Sequence, residues 1–424
     1  MIRTLKKAIT AAAPSLTVEV YHLFLAWFGA VLYGFPARQM IVVGVTGTKG
    51  KSSTAEFLNA ILEEAGHTTA LINSIRFKTA DVSEPNLTRM SMPGRFFIQR
   101  FLHDALKKGC TAAILEMTSE GARQNRHRFI DLDALIFTNL APEHIESHGS
   151  LQAYANAKFE IGRQLARSRK YPRTIVSNLD DKEGGRYLTL SVENVVPFSL
   201  GTAAPFHANE RGGSFTLENQ ELSVHLPGEF SLKNALASSL TARALGIPMD
   251  AIERALGRVT KIPGRAERIE AGQNFTLVVD YAHTPDSLQA LYSAYKNLRK
   301  ICVLGSTGGG RDTWKRPIMG RIADTSCDTV ILTNEDPYDE KPEQIVSDIA
   351  HGMTHKPEII MDRREAIARA LSLARTDDAV LITGKGTDPD IRGPSGSKIV
   401  WSDAVVAREE VEKLLAKQGR IMSL

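Results

Sequence analysis

The 424-residue sequence is poor in cysteine: Cys110, Cys302 and Cys327 lie far apart and lack the paired spacing of a zinc site. That scarcity argues against a disulfide framework and predicts a reducing, cytosolic compartment. An excess of one charge is also missing. Lys+Arg number 52 against Asp+Glu 48, a net charge of +4, so the strong basic field of a nucleic-acid binder is not expected and small-molecule substrates are. No internal repeat, low-complexity tract or long linker interrupts the chain, and the 43% apolar content is enough for two or three domains with cores of their own.

Long hydrophobic runs are nearly absent too. The exception is VEVYHLFLAWFGAVLYGFP, Val18 to Pro36, uncharged from Leu23 to Phe35. The uncharged run from Leu23 to Phe35 falls short of the roughly 20 residues of a spanning helix. No small-residue cleavage site follows it, which argues against a signal peptide. Two readings remain: a helix packed on the next domain, or an interfacial anchor helped by Arg3, Lys6 and Lys7 ahead of it. The second would bring membrane-surface contact through residues 18–36 and a position peripheral to the inner face of the membrane.

From Met40 the pattern becomes strand, Gly-rich loop and helix. MIVVGV is β-branched and apolar, and Ala55, Leu58, Ile61 and Leu62 then recur at helical spacing. Buried parallel strands are predicted at AAILEM, ALIFTNL and TIVSNL. FTLENQELSVHLPGEF alternates with period two and predicts antiparallel strands on the edge of that sheet, with a helix at NALASSLTARALG. Near Lys261 the rhythm restarts, with strands at FTLVVDYA, KICVLGS, TVILTN and AVLITGKG and helical patterns between them. The expected fold class is α/β. An apolar helical segment (1–39) precedes a central P-loop ATPase-like domain with a mostly parallel sheet (40–262), followed by a C-terminal Rossmann-like α/β domain (263–424).

VVGVTGTKGKSST, Val42 to Thr54, carries the chemistry of a phosphate loop. Glycines let backbone N–H groups face an anion at a helix N-terminus, and a lysine adds a point charge. Gly47, Thr48, Lys49, Gly50 and Lys51 supply these parts, and Ser52 or Ser53 offers a hydroxyl to Mg2+. The strict G-x-x-x-x-G-K-[ST] pattern fails by one place, because Val45 stands five residues before Gly50.

This shifted loop resembles that of the Mur ligases and folylpolyglutamate synthetases, ATP-dependent amide-forming enzymes. Further segments resemble the family in order from about Val42 to Ala407: SMPGRFF, LEMTSEG, FTNLAPEHIESHGSLQAYANAKFEIG, LPGEFSLKNALAS, IPGRAERIE, VVDYAHTPDSL, GSTGGGRDTWKRPIMG and LITGKGTD. DYAHTP and GGGRDTWKRPIMG look most like the branch that adds the third residue of the peptidoglycan stem peptide. The folylpolyglutamate branch has a G-K-G-S loop and a later H-N-P motif, where this chain has Gly50-Lys51-Ser52-Ser53 and His283-Thr284-Pro285.

The resemblance implies that ATP phosphorylates a carboxylate of a muramoyl peptide and that an amino-acid amine attacks the acyl phosphate. It implies Lys51, Glu116, His144 and Lys158 as catalytic residues and ATP with Mg2+ as cofactors. Ser52, Glu116, His144 and Lys158 would form the metal set. A lysine ammonium cannot bind Mg2+, so Lys158 enters it only as a carbamate. Read without the resemblance, Lys158 is a solvated helical lysine and His144 a turn histidine; His148 stands between a place near the site and local hydrogen bonding. Asn234 would lie near adenine, Asp280 near the ribose and Arg265 near the γ-phosphate. Ser91, Pro93, Ser119, Arg311, Asp336, Tyr338, Gly384 and Asp388 are the implied substrate contacts. The expected enzyme is a cytoplasmic monomer. The alternatives are a related ligase acting on a lipid-linked or other carboxylate, or a non-catalytic ATP-binding subunit.

The sequence departs from the family at named places. Only some forty residues precede the loop, where such ligases carry a UDP-binding domain. Tyr338 stands where diaminopimelate-adding relatives have an arginine, Thr387 and Asp388 replace a His-Glu pair, Glu120 replaces a histidine, and Glu143 an aspartate. Asp336, Asp339 and Asp388 could be solvated loop acids or could pair with a cationic substrate side chain such as lysine's.

Overall fold

The computed structural model describes residues 15–422 and resolves into two compact units. The first comprises the chain to Leu140, Ser150–Thr202 and Asn234–Ala255; the second takes Ala141–Gly149, Ala203–Lys233 and Leu256 onward.

The first unit is built on an eight-stranded sheet. Its strands are β1 (Ile41–Thr46), β2 (Thr69–Ile72), β3 (Arg76–Thr79), β4 (Val82–Pro85), β5 (Ala112–Glu116), β6 (Ala134–Phe137), β7 (Thr174–Asn178) and β8 (Asn194–Phe198). They lie in the order β4-β3-β2-β5-β1-β6-β7-β8. All pairings are parallel except β2 with β3 and β3 with β4. The central strands are buried along their length, which is why they read as unbroken apolar runs rather than alternating ones. Helices α1 (Ser15–Leu32), α2 (Lys51–Glu64), α3 (Arg95–Lys107) and α4 (Leu151–Ala166) belong to this unit. Its core includes Val42, Leu102, Leu115, Leu135, Phe137 and Ile161. Register sets the site: Val45 pairs with Glu116 and Thr46 with Phe137, so the loops leaving β1, β5 and β6 emerge together at the carboxyl edge, where open α/β sheets bind ligands.

In the second unit, β9 (Phe206–Ala208), β10 (Gly213–Leu217) and β11 (Gln220–Val224) form a separate antiparallel sheet. This corrects the expectation of strands on the edge of the large sheet; alternation fixes a strand's two faces but not the sheet it joins. Helix α5 (Gly228–Ala244) follows; its residues up to Lys233 count in this unit and those from Asn234 in the first. A six-stranded sheet then runs in the order β12-β13-β17-β14-β15-β16 (Glu267–Arg268, Thr276–Asp280, Ala379–Thr383, Lys300–Leu304, Thr329–Leu332, Glu358–Ile359). Helices pack on both of its faces, α6 (Pro285–Ala294), α7 (Lys315–Ser326) and α8 (Pro342–Ala350) around Leu291, Met319 and Val346, and α9 (Arg363–Leu373) and α10 (Asp403–Met422) around Ile367 and Val411. A hairpin, β18 (Asp390–Arg392) with β19 (Lys398–Val400), completes the unit.

The cysteines depart from expectation. Cys302 and Cys327 form a disulfide with an S–S distance of 2.06 Å, while Cys110 is free and buried. A separation of 25 residues gave no signal in the sequence. Tertiary structure makes the pair: Cys302 lies on β14 opposite Val330 of β15, and Cys327 closes α7 three residues ahead of that partner.

Candidate active site

The loop after β1 is held by the loop after β6. The Thr48 amide donates to the Asn139 carbonyl (2.8 Å) and the Lys49 amide to Asn139 Oδ1 (2.8 Å), while Thr138 Oγ1 donates to the Lys49 carbonyl (2.7 Å). Two glycines are obligatory. Gly47 has φ +144° and a Cβ there would stand 1.9 Å from Thr138 Oγ1; Gly50 has φ +82° and a Cβ there would stand 2.3 Å from Asn234 Oδ1. Gly50 is also the N-cap of α2 and provides no side-chain cap, so the amides of the first turn face outward as an anion-binding terminus.

Lys51 begins α2, with Nζ 2.9 Å from the Thr48 carbonyl and 4.0 Å from Glu116 Oε1. Glu116 ends β5 and is buried. It accepts hydrogen bonds from Ser52 Oγ (2.7 Å) and the Ser74 amide (3.0 Å) on Oε2, and from Ser91 Oγ (2.9 Å) on Oε1. Burial alone would raise its pKa; the Lys51 charge and these three donors outweigh that and hold it below the usual glutamate value. An ionised carboxylate beside a hydroxyl and an anion-binding loop suits Mg2+, which binds through one or two carboxylates, waters and substrate phosphates. Among the described residues no three His, Cys, Asp or Glu side chains gather as a metal cluster.

Lys158, on α4, is buried and donates to the Gly47 carbonyl at 2.6 Å, with its ammonium 4.7 Å from the Tyr154 ring centre. Tyr154 Oη in turn lies 3.1 Å from Thr48 Oγ1. The solvated-lysine reading is thereby removed. Asn234 lies on α5, where Thr54 Oγ1 donates to its Oδ1 at 3.3 Å. Ser53 is buried within α2 and Ser119 at the start of a short helix capped by Thr118; Pro93 precedes α3.

The remaining predicted residues belong to the second unit. His144 has φ +56°, and the His144 and Ile145 amides donate to Asp312 at 2.9 and 3.3 Å. Asp312 and Glu146 are hydrogen-bonded carboxyls: burial and this contact raise the Glu146 pKa, while for Asp312 the donors outweigh burial and lower it. Glu143 Oε1 lies 2.9 Å from His283 Nε2. Asp280 accepts the Ala266 and Ala282 amides, each at 2.6 Å, and Arg265 stacks over Tyr281 with its guanidinium carbon 4.6 Å from the ring centre.

Around the other predicted contacts, Arg311 lies 5.0 Å above the Tyr338 ring. The aspartates are engaged within the chain: Lys385 donates to Asp336 at 2.8 Å and lies 3.5 Å from Asp388, and Asp339 accepts the Ser395 amide at 2.7 Å. Gly384 packs against Glu335, whose carboxyl is buried and whose pKa is raised by that burial and by Asp336. Sequence reading passed over Lys385, Glu335, Asp312 and Ser74. The lysine's place inside GKG was a signal, but nothing in the sequence marked Ser74.

A phosphate-binding loop, a cation-ready carboxylate and a buried lysine define a nucleotide-dependent enzyme class. The comparisons with known proteins are more specific. The family model described as Mur ligase middle domain matches residues 45–242, and that described as Mur ligase, glutamate ligase domain matches residues 264–386. A UDP-N-acetylmuramoyl-L-alanyl-D-glutamate–2,6-diaminopimelate ligase of Halalkalibacterium halodurans is 32% identical, over 96% of this chain and 86% of its own length. A UDP-N-acetylmuramyl-tripeptide synthetase of Roseiflexus sp. is 34% identical, over 95% and 84%. A solved structure of a UDP-N-acetylmuramoyl-L-alanyl-D-glutamate–2,6-diaminopimelate ligase superposes with a TM-score of 0.61 at 28% identity, over 88% of this chain and 79% of that one. The folylpolyglutamate synthase of Mycobacterium tuberculosis complexed with ADP and AMPPCP shares the fold, with a TM-score of 0.67 at 17% identity, over 86% and 93%. The chain belongs to the Mur ligase family, and within it the named relatives at about one-third identity are amino-acid ligases of muramoyl-peptide synthesis.

Proposed function

We propose that this chain is an ADP-forming acid–amino-acid ligase that extends UDP-N-acetylmuramoyl-L-alanyl-D-glutamate by a third residue. The observation that supports it most is the ionised, buried Glu116 held against Lys51 and Ser52 at the mouth of the loop. In this reading the α2 amides and Lys51 hold the nucleotide's phosphates. Ser52 and Glu116 would hold Mg2+, which would supply neutralisation of phosphate charge, and the γ-phosphoryl group moves to the acceptor carboxylate. The amine of the incoming amino acid then attacks the acyl phosphate, releasing phosphate. Asn234, Asp280 and Arg265 are assigned to adenine, ribose and γ-phosphate, and His144 to the metal.

Ser91, Pro93 and Ser119 are assigned to the acceptor, and Arg311, Asp336, Tyr338, Gly384 and Asp388 to the amino acid. Lys158 is assigned as a carbamate; such a group keeps one N–H, which would preserve the bond to Gly47 while adding two oxygens for a second cation. The boundaries 1–39, 40–262 and 263–424 are kept as functional divisions. We place the enzyme in the cytoplasm as a monomer, with segment 18–36 in contact with a membrane surface.

The test is phosphate release from ATP and Mg2+ with the UDP-muramoyl dipeptide, run against L-lysine and meso-diaminopimelate with mass detection. A tripeptide product is expected. Turnover confined to a different carboxylate acceptor would refute the reading.

A further inference from the structure

Helix α1 is packed the wrong way round for the surface of a water-soluble domain. Its small residues are buried: Ala26 is 1% exposed and Ala30 0%, and a Cβ on Gly29 would meet Phe96 and Gln99 of α3 at 3.6 and 3.8 Å. Its large residues face outward: Val20, Tyr21, Phe24, Trp27, Phe28, Val31 and Leu32 are each more than two-fifths exposed, with Phe24 at 54% and Leu32 at 57%. At about 100° per residue these seven cover an arc of roughly 140°, the width of a complete apolar face. They make up seven of the twenty large hydrophobic side chains exposed among the described residues. A patch so concentrated marks a surface that water does not normally cover.

We propose that this face of α1 is a peripheral docking surface for an anionic lipid bilayer. The inference rests on the membrane contact proposed for segment 18–36 and specifies it by face, depth and lipid charge; it does not depend on the ligase assignment. The helix cannot cross the bilayer, because its opposite face is occupied by α3, with Gly29 against Phe96 and Gln99 and Tyr33 on His103, and no described helix is long and apolar enough to span. It lies in the interface instead, where Trp and Tyr rings sit at headgroup level and the neighbouring aliphatic residues enter the acyl boundary.

Charge selects lipid over a protein occupant. The exposed Glu19 is the one acid in the first nineteen residues, which also contain Arg3, Lys6 and Lys7. These three basic residues lie outside the described part of the chain and count here only as sequence. From Val20 to Leu32 there is no Asp, Glu, Lys or Arg that could specify a protein partner by pairing. Helix α3, on which α1 packs, exposes Arg100 and Lys107 with one acid, Asp104. Such basic flanks draw a helix to anionic headgroups.

The experiment is co-sedimentation of the full chain with vesicles of phosphatidylcholine alone or mixed with phosphatidylglycerol. Phe24→Ser/Trp27→Ser and Lys6→Glu/Lys7→Glu variants are compared, and thermal melts check folding. Binding to the phosphatidylglycerol vesicles is expected, weakened roughly tenfold or more by either variant. A blue shift of tryptophan emission that Trp27→Phe removes should accompany it. Three results would overturn the proposal: no vesicle binding by the unaltered chain, binding that ignores Phe24→Ser/Trp27→Ser, or a dimer in sedimentation velocity that this variant dissolves, which would make a second copy the occupant. Phosphate release measured on the same preparations without vesicles separates failure of the docking from failure of the ligase assignment.

Discussion

The Lys158 ammonium lies 2.6 Å from the Gly47 carbonyl, so a helix residue more than a hundred positions away fastens the first turn of the phosphate loop. Lys158→Gln shortens the reach and removes the charge. Phosphate release should fall about 10²-fold or more, while binding of a non-hydrolysed ATP analogue falls much less. If the carbamate assignment holds, the unaltered enzyme also slows in CO2-depleted buffer and recovers with bicarbonate. Activity indifferent to both treatments would remove Lys158 from the catalytic set.

Arg363 and Asp403 form a buried two-pronged ion pair in the second unit, with Nε–Oδ1 at 2.8 Å and Nη2–Oδ2 at 2.6 Å. Both side chains are essentially inaccessible, and Arg363 also donates to the Thr383 carbonyl at 2.7 Å. Asp403→Ala leaves the guanidinium buried without its counter-charge and should cost about 3–5 kcal/mol in urea denaturation. Replacing both partners by apolar residues of similar volume should cost less than the single change.

His127 is buried, and neither ring nitrogen finds a hydrogen-bond partner, so desolvation lowers its pKa to about 3. The depressed value makes the folded state refuse a proton that the unfolded chain accepts. Its contribution to stability is therefore complete above the unfolded pKa of about 6.5 and declines as pH falls toward the folded value. By pH 5 the loss should reach about 2 kcal/mol. His127→Gln should flatten this part of the stability–pH curve, as read from denaturation midpoints between neutral and mildly acidic pH. An unchanged slope would show that the ring is not the titrating group.

The Cys302–Cys327 disulfide closes a loop of 25 residues. Loop closure of that length is worth about 3.5 kcal/mol. Adding dithiothreitol, or substituting Cys302→Ala with Cys327→Ala, should lower the melting temperature of the second unit. Free-thiol titration of the denatured, unreduced protein should find one thiol, from Cys110.

Much of the site was legible because it is local in the chain. Gly47, Gly50, Lys51 and Ser52 fall within six residues, and the strand–loop–helix pattern that presents them follows from residue spacing alone. The parallel strands β1, β5, β6 and β7 and, in the second sheet, β13, β14, β15 and β17 were readable for the same reason, since burial leaves continuous apolar runs, whereas β2, β8 and β16 were not read. Long-range pairing was not readable. Ser74 joins Glu116 only because β2 lies beside β5, and β9–β11 form their own sheet through contacts that alternation does not encode.

The sequence by itself determined a phosphate loop on an α/β scaffold and a family resemblance that the comparisons then supported, because both reside in residue identity at short spacing. Tertiary structure decided that Lys158 is buried against Gly47, that Lys385 takes Asp336, that two distant cysteines are joined, and that α1 hides its alanines and shows its aromatics. Each of these depends on which surfaces meet, and a periodic pattern of apolar residues does not say which face of a wholly apolar helix will be covered.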